Sequence, residues 1–182
     1  MHNWVEKLDL ICMPGWKVGL LGSSLFFGWV LTLLWVPGLS DKYGRKKFMF
    51  WGILAQALTF TAIMVSKSFW LTVFCIGMFG ALSSVRINIG FNYFLELVGA
   101  PYRNVYGTIW NISEGVIYLY ATIYFWQIDT HWFYFVAIGW LLNWIAVVGI
   151  YFLPESPVFL LKKGRIMEAY ESLKYIAKVN GR

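Results

Sequence analysis

The chain has 182 residues, of which 59% are hydrophobic and 13% are charged, and its net charge is +6. A soluble domain carries roughly 25% charged residues, so this composition excludes water as the solvent for most of the chain and indicates a lipid bilayer. In a membrane protein the net positive charge indicates how the chain is oriented across the bilayer, rather than nucleic-acid binding.

Five segments are apolar enough, over about 20 residues, to cross a membrane. The third carries one charge, Arg86, the fourth carries one charge, Glu114, and the other three carry none. The sequence therefore predicts an all-α integral membrane bundle over residues 1–153. The five predicted spans are 18–36, 48–65, 69–95, 104–128 and 132–153.

The basic residues between the spans are distributed unevenly. Eleven Lys and Arg residues lie in alternate connections, including 42–47 and the segment after the fifth span, and three lie in the others. Cytoplasmic loops carry the excess of Lys and Arg, so we expect the N-terminus outside and the C-terminus in the cytoplasm or an equivalent inner compartment. A plasma membrane and an organelle membrane such as the mitochondrial one fit equally well.

Residues 154–182 predict a different kind of element. Apolar residues from Ile166 to Ala177 recur at the spacing of one helix face, and Asn180 with Gly181 supplies a helix C-cap. This pattern predicts a short amphipathic helix on the cytoplasmic side, lying on the membrane surface or against the bundle.

The connection between the first two spans reads Asp-Lys-Tyr-Gly-Arg-Lys-Lys from residue 41 to residue 47. Gly44 tolerates the positive φ of a tight reversal, Asp41 can complement the N-terminus of the next helix, and Arg45 offers a planar fork for a neighbouring carboxylate. A generic basic loop is the alternative, but it does not explain this order of residues. The candidate loop residues are Asp41, Gly44, Arg45 and Lys46.

This order resembles the loop between the second and third helices of the major facilitator superfamily. Other stretches resemble the organic cation/anion transporter family, with sugar porters next, and the resemblance covers nearly the whole chain. These stretches are Trp4 to Cys12, Glu96 to Val98 with Tyr102 and Arg103, Pro154 to Pro157, Gly164 with Arg165, and Glu168 with Ala169.

The resemblance implies a twelve-helix carrier of small organic solutes that works by alternating access, of which this chain is an N-terminal half without the first helix. Its implied partners are the bilayer, a small organic solute, and the remaining carrier helices or other membrane subunits, with no cofactor. It also implies a cytoplasmic charge network that holds the inner gate. The network residues carried over are Asp41, Arg45, Glu96, Arg103, Glu155 and Arg165.

Three positions depart from the family pattern. Pro37 replaces a packing glycine, and Ile76 and Val158 stand where the family has arginines. These departures favour an alternative hypothesis, in which the chain is a non-transporting half that serves as a structural subunit of a larger membrane complex.

The two intramembrane charges are functional candidates, because such residues are rare in spans. Arg86 precedes Glu96 by ten residues and Glu114 follows Asn104 by ten, so both lie about 15 Å from the same membrane face. We expect an ion pair. The pair either contacts a charged solute or locks two helices together. Neighbouring candidates for solute contact are Asn88, Asn92, Asn111 and Tyr118.

Enzymatic and metal chemistry have little support in the sequence. His2 and His131 are isolated, and Cys12 and Cys75 lack metal-ligand spacing. We therefore expect neither an enzyme nor a metal site, and Cys75 is predicted to be a packing residue. The sequon that begins at Asn111 lies within a predicted span, so we expect no glycosylation there.

Overall fold

The computed structural model describes residues 7–128 and 131–181. The regular structure in these ranges is helical, and four helices are long and apolar enough to cross a membrane. They confirm the predicted all-α membrane bundle. These helices are α1 (Gly15–Leu33), α3 (Arg45–Val65), α4 (Phe69–Leu97) and α6 (Trp132–Phe152).

Four further helices complete the described part. A short 3₁₀ turn precedes α5, and a π-helical turn at Tyr124–Ile128 extends it. The additional helices are α2 (Val36–Tyr43), α5 (Arg103–Ile123), α7 (Pro157–Lys162) and α8 (Ile166–Val179).

Helix α5 and the π-helical turn that extends it cover the predicted span 104–128, but α5 is not among the four helices that qualify by length and composition. The reason is its polar content, since Asn104, Asn111 and Glu114 lie along it. The described part of the chain thus contains four strongly apolar spans, where the sequence analysis predicted five.

Helices α1 and α4 cross at very short distance because glycines occupy the crossing point. A Cβ atom added to Gly28 would lie 1.9 Å from the carbonyl oxygen of Gly77, and one added to Gly80 would lie 2.0 Å from that of Leu25. The hydroxyl of Thr32 donates across the same crossing to the carbonyl of Ala81 at 3.1 Å. Small residues and interhelical hydrogen bonds of this kind drive helix association in lipid.

The largest core cluster lies where α3, α4 and α6 meet, and it includes Ile53, Ile89 and Val147. Gln56 is buried in α3 and donates to the hydroxyl of Ser83 in α4 at 2.8 Å. Cys75 is buried too, as its prediction as a packing residue requires. Packing therefore runs from α1 to α4, from α4 to α3, and from α3 to α6.

The basic segments 42–47 and 162–165 lie at the same end of the bundle, because Gly44 is in contact range of Glu155 and Phe159. We call this the basic end. At the opposite end, the ammonium of Lys7 donates to the carbonyls of Ile63 and Met64 at 3.2 and 2.8 Å. The ring of Trp132 lies 4.9 Å from the same ammonium.

Helix α8 lies against α7 and the segment after α6 through only part of the face that its apolar spacing predicted. Ala169 and Ser172 are its buried residues, whereas Ile166 and Tyr170 are 68% and 64% exposed. The hydroxyl of Ser172 donates to the Glu155 carbonyl at 2.7 Å, which selects this smaller face. The predicted C-cap is confirmed, since Gly181 has φ +69°.

Candidate functional site

The candidate site at the basic end begins with the turn at Gly44. Its φ is +109°, a conformation that side chains with a Cβ atom rarely adopt, as the sequence analysis predicted. A Cβ atom here would also lie 2.9 Å from a carboxylate oxygen of Glu155. Glycine is thus required both by the backbone and by the carboxylate that approaches it.

Arg45 follows this turn and joins two acidic residues through its guanidinium. Its Nη1 atom lies 3.0 Å from Glu96 Oε1, and its Nη2 atom lies 3.2 Å from Asp41 Oδ1. The Arg45 and Glu96 side chains are 13% and 14% exposed, whereas that of Asp41 is 67% exposed. The predicted pairing of Arg45 with a carboxylate is present, and its less exposed partner belongs to the end of α4.

Glu155 supplies the negative charge at the start of α3. Its Oε1 atom accepts the backbone N–H groups of Lys46 at 2.9 Å and Ser156 at 3.1 Å. From the sequence Asp41 was expected in this role, but it pairs instead with Arg45 on the exposed side. A carboxylate at a helix N-terminus satisfies free N–H groups and complements the helix dipole.

Ser156, the residue after Glu155, is fully buried and connects the carboxylate of Glu96 to the start of α7. Its hydroxyl donates to Glu96 Oε2 and accepts the N–H of Phe159 at 3.1 Å, as the N-cap of α7. No role for Ser156 was expected from the sequence. A serine directly before a proline is a common helix start, so the Ser156–Pro157 pair carried the signal for the cap.

Residues 151–156 therefore connect several helices by hydrogen bonds. The Tyr93 hydroxyl of α4 donates to the Pro154 carbonyl, and the Lys46 ammonium of α3 donates to the Tyr151 carbonyl at 3.0 Å. We define the charge cluster as Asp41, Arg45, Glu96, Glu155 and Ser156. It joins the starts of α3 and α7 to the end of α4.

Two residues of the predicted network lie outside this cluster. Arg165 pairs with Glu168 one turn along α8, with Nε 2.6 Å from Oε1, and both side chains are half exposed. Arg103 is exposed at the start of α5. Four of the six predicted network residues are therefore brought together.

The predicted ion pair between Arg86 and Glu114 is not formed. The ion pairs within 4.0 Å in the described ranges are Arg45 with Asp41, Arg45 with Glu96, and Arg165 with Glu168.

The position of α5 explains the separation. Near its start, the rings of Tyr106 and Trp110 contact the ring of Phe91 in α4, with centroid distances of 5.8 and 5.6 Å. Near its end, Tyr120 stacks on Phe135 of α6 at 5.4 Å. Between these contacts residues 111–120 are exposed, so the middle of α5 does not pack against α4.

The candidate solute-contact residues do not share one surface, because Asn92 lines a small cavity with Asp41 and Arg45 that contains no residue of α5. Asn111, Glu114 and Tyr118 are exposed on α5, and Arg86 and Asn92 are exposed on α4. The amide nitrogens of Asn92 and Asn111 donate to carbonyls one turn earlier in their own helices, at 3.0 and 2.9 Å. Each of these amides keeps its oxygen as an acceptor and its second N–H as a donor for a ligand.

The described residues contain no group of three or more His, Cys, Asp or Glu side chains arranged to hold a metal ion. The polar groups at hand are instead a guanidinium, carboxylates, amides and hydroxyls. Such groups can bind a charged organic molecule by hydrogen bonds and ion pairs.

The chain is similar to known proteins over most of its length. The family described as sugar (and other) transporter matches residues 16–182. Solute carrier family 22 member 2 of Rattus norvegicus is 27% identical over 193 residues, and that of Homo sapiens is 26% identical over 181 residues. Synaptic vesicle glycoprotein 2B of Rattus norvegicus is 29% identical over 196 residues.

These alignments cover most of this chain but a minor part of each relative. They include 100%, 98% and 94% of the chain, against 34%, 32% and 27% of the three relatives. The chain thus spans about a third of the length of the curated relatives that it matches.

Proposed function

The chain belongs to the sugar (and other) transporter family, and we propose that it acts as the N-terminal portion of a carrier that moves small organic solutes across a membrane by alternating access. The organic cation or anion class is the proposed solute, with sugar-like solutes as the neighbouring class. Transport chemistry needs no bond-making residue, only groups that bind a solute in one conformation and release it in another.

The observation that carries this proposal is the charge cluster at the basic end. Arg45 and Glu96 pair with side chains that are 13% and 14% exposed, and Ser156 donates to the same carboxylate. The three residues lie on separate elements, so their contacts resist separation of α3, α4 and the start of α7. This arrangement supports a latch for an inner gate, which must break or shift when the carrier opens.

The open surface of α4 and α5 supports a path for a charged solute. Arg86 and Glu114 are exposed there and do not neutralise each other by direct contact. We infer that Glu114, with Asn111 and Tyr118, contacts a cationic group of the solute, and that Arg86 contacts an acidic group. A polar surface within the membrane is stable when it faces water or a bound solute rather than lipid.

The proposed orientation places the basic end in the cytoplasm and the Lys7 end outside. The support is the excess of Lys and Arg in segments 42–47 and 162–165, which lie at one end of the bundle.

A second candidate function is a structural subunit of a larger membrane complex. The observation that favours it is the exposure of residues 111–120 on α5, a surface that a neighbouring membrane subunit could cover. The departures from the family pattern at Pro37, Ile76 and Val158 also favour a structural subunit.

Reconstitution into liposomes separates the two candidates. The carrier proposal predicts saturable uptake of members of a panel of organic cations and anions by the protein. Absence of uptake for the whole panel, together with co-purification in a large membrane assembly, would instead support the structural subunit.

A further inference from the structure

A groove of about 600 Å³ opens between α2, α3 and α4 at the basic end. Its walls are apolar and aromatic, and its one charged lining residue is Lys47. The lining side chains that matter here are Tyr43, Lys47, Phe48, Trp51, Leu82 and Val85. The groove is lined by no residue of the charge cluster, and it lies apart from the open surface of α5.

Lys47 is the cation of segment 42–47 that the protein leaves available. Arg45 pairs with two carboxylates, and the Lys46 ammonium donates to the Tyr151 carbonyl at 3.0 Å. Lys47 is exposed and makes no hydrogen bond, ion pair or ring contact within the described ranges. The ammonium of Lys42 lies 5.5 Å from the centroid of the Tyr43 ring, which forms part of the groove.

The exposed aromatic residues of the groove indicate the depth where lipid headgroups meet hydrocarbon. Lys47 is in the first turn of α3, and Trp51 follows one turn deeper with 65% of its surface exposed. Tyr43, on the other wall, is 60% exposed. Exposed Trp and Tyr side chains are typical of the headgroup level, with the apolar groove walls extending below it.

We propose that this groove binds an anionic glycerophospholipid. Its phosphate pairs with Lys47 and Lys42, and one acyl chain lies along Trp51, Leu82 and Val85. A basic site above an apolar groove matches both parts of such a lipid, and each Lys near the surface favours an anionic headgroup. A packed membrane helix would instead bury Lys47 without a counter-charge, which is costly. The proposal does not depend on transport activity.

Native mass spectrometry of the protein in detergent tests the site, with dioleoyl phosphatidylglycerol and dioleoyl phosphatidylcholine as probes. We expect phosphatidylglycerol to be retained in preference to phosphatidylcholine. Lys47→Gln should weaken its retention about five-fold, whereas Lys67→Gln, which changes an exposed lysine before α4, should leave it unchanged. Equal retention of the two lipids, or equal weakening by the two variants, would overturn the proposal.

A second measurement tests whether an acyl chain of the lipid lies in the groove. Phosphatidylglycerol with a brominated acyl chain should quench the fluorescence of Trp51, and the quenched fraction should fall in Trp51→Phe. Glycerol phosphate, which has no acyl chain, should not displace the lipid. Quenching that is identical in the wild type and Trp51→Phe, or displacement by glycerol phosphate, would contradict a lipid in this groove.

Discussion

The carboxylate of Glu155 caps a helix that begins 110 residues earlier in the chain. Its Oε1 atom accepts the backbone N–H of Lys46 at 2.9 Å, across a sequence separation of 109 residues. The neighbouring Ser156 N–H donates to the same oxygen at 3.1 Å. One acidic side chain after the last span thus fixes the start of α3, and Gly44 leaves the space that it occupies.

Removal of this cap should destabilise the bundle. We expect Glu155→Ala to lower the free energy of unfolding by about 1–2 kcal/mol, because the first N–H groups of α3 lose a charged acceptor. The measurement is reversible unfolding in mixed detergent and denaturing surfactant, followed by circular dichroism. The matched control is Glu168→Ala, which removes a half-exposed pair with Arg165 and should cost less than about 0.5 kcal/mol. Equal losses in the two variants would show that Glu155 does not cap α3.

The pair of Arg45 and Glu96 should be coupled energetically. Arg45→Met and Glu96→Gln should each cost about 1–3 kcal/mol, since each leaves the other partner largely buried, with the upper figure reduced for partial exposure. In a double-mutant cycle the coupling should reach about 1 kcal/mol. Asp41→Asn, at the exposed partner, should cost less than about 0.5 kcal/mol. Additive effects of Arg45→Met and Glu96→Gln would contradict a direct pair.

The crossing of α1 and α4 provides a comparison within one helix. Gly28→Val should destabilise the bundle by about 3 kcal/mol or more, because the new side chain would meet backbone atoms that cannot move aside. Gly22→Val introduces the same residue in the same helix, where an added Cβ meets nothing within 4 Å. It should be nearly neutral in the unfolding assay. Similar losses in both variants would indicate that valine in α1, rather than the crossing, causes the effect.

Glu114 tests the solute path on α5. Because its side chain is exposed and forms no close ion pair, Glu114→Gln should change the free energy of unfolding by less than about 0.5 kcal/mol. It should nevertheless lower uptake of organic cations into liposomes. Glu171→Gln on α8 is the control and should affect neither quantity. Loss of folding in Glu114→Gln would favour a structural lock, and normal folding with normal uptake would argue against both roles.

The sequence predicted the features that depend on local chemistry. Gly44 and Gly181 both have the positive φ that their positions in the pattern indicated, and the apolar runs became the long helices. These results follow from backbone sterics and from the length needed to cross lipid, which neighbouring residues determine.

Features that depend on the lateral packing of helices could not be predicted in the same way. Helical rise placed Arg86 and Glu114 at one depth, but aromatic contacts at both ends of α5 hold its middle away from α4. Likewise, the negative charge near α3 was assigned to Asp41 on local grounds, whereas the chain fold delivers Glu155 to that point. The depth of a residue in the membrane follows from its position along one helix, but a contact between two residues also depends on where both helices lie.

Accessibility of single cysteines tests the central claim, which is a membrane-crossing bundle with its basic connections on the cytoplasmic side. Cys12 is exposed and Cys75 is buried, so the native chain offers one accessible thiol near the Lys7 end. In sealed cells or oriented vesicles, a membrane-impermeant maleimide should label Cys12 from outside. In a Cys12→Ser background, Lys42→Cys and Lys163→Cys should be labelled only from the cytoplasmic side. Labelling of Lys42→Cys and Lys163→Cys from opposite sides, or of Cys12 from the same side as both, would contradict the account.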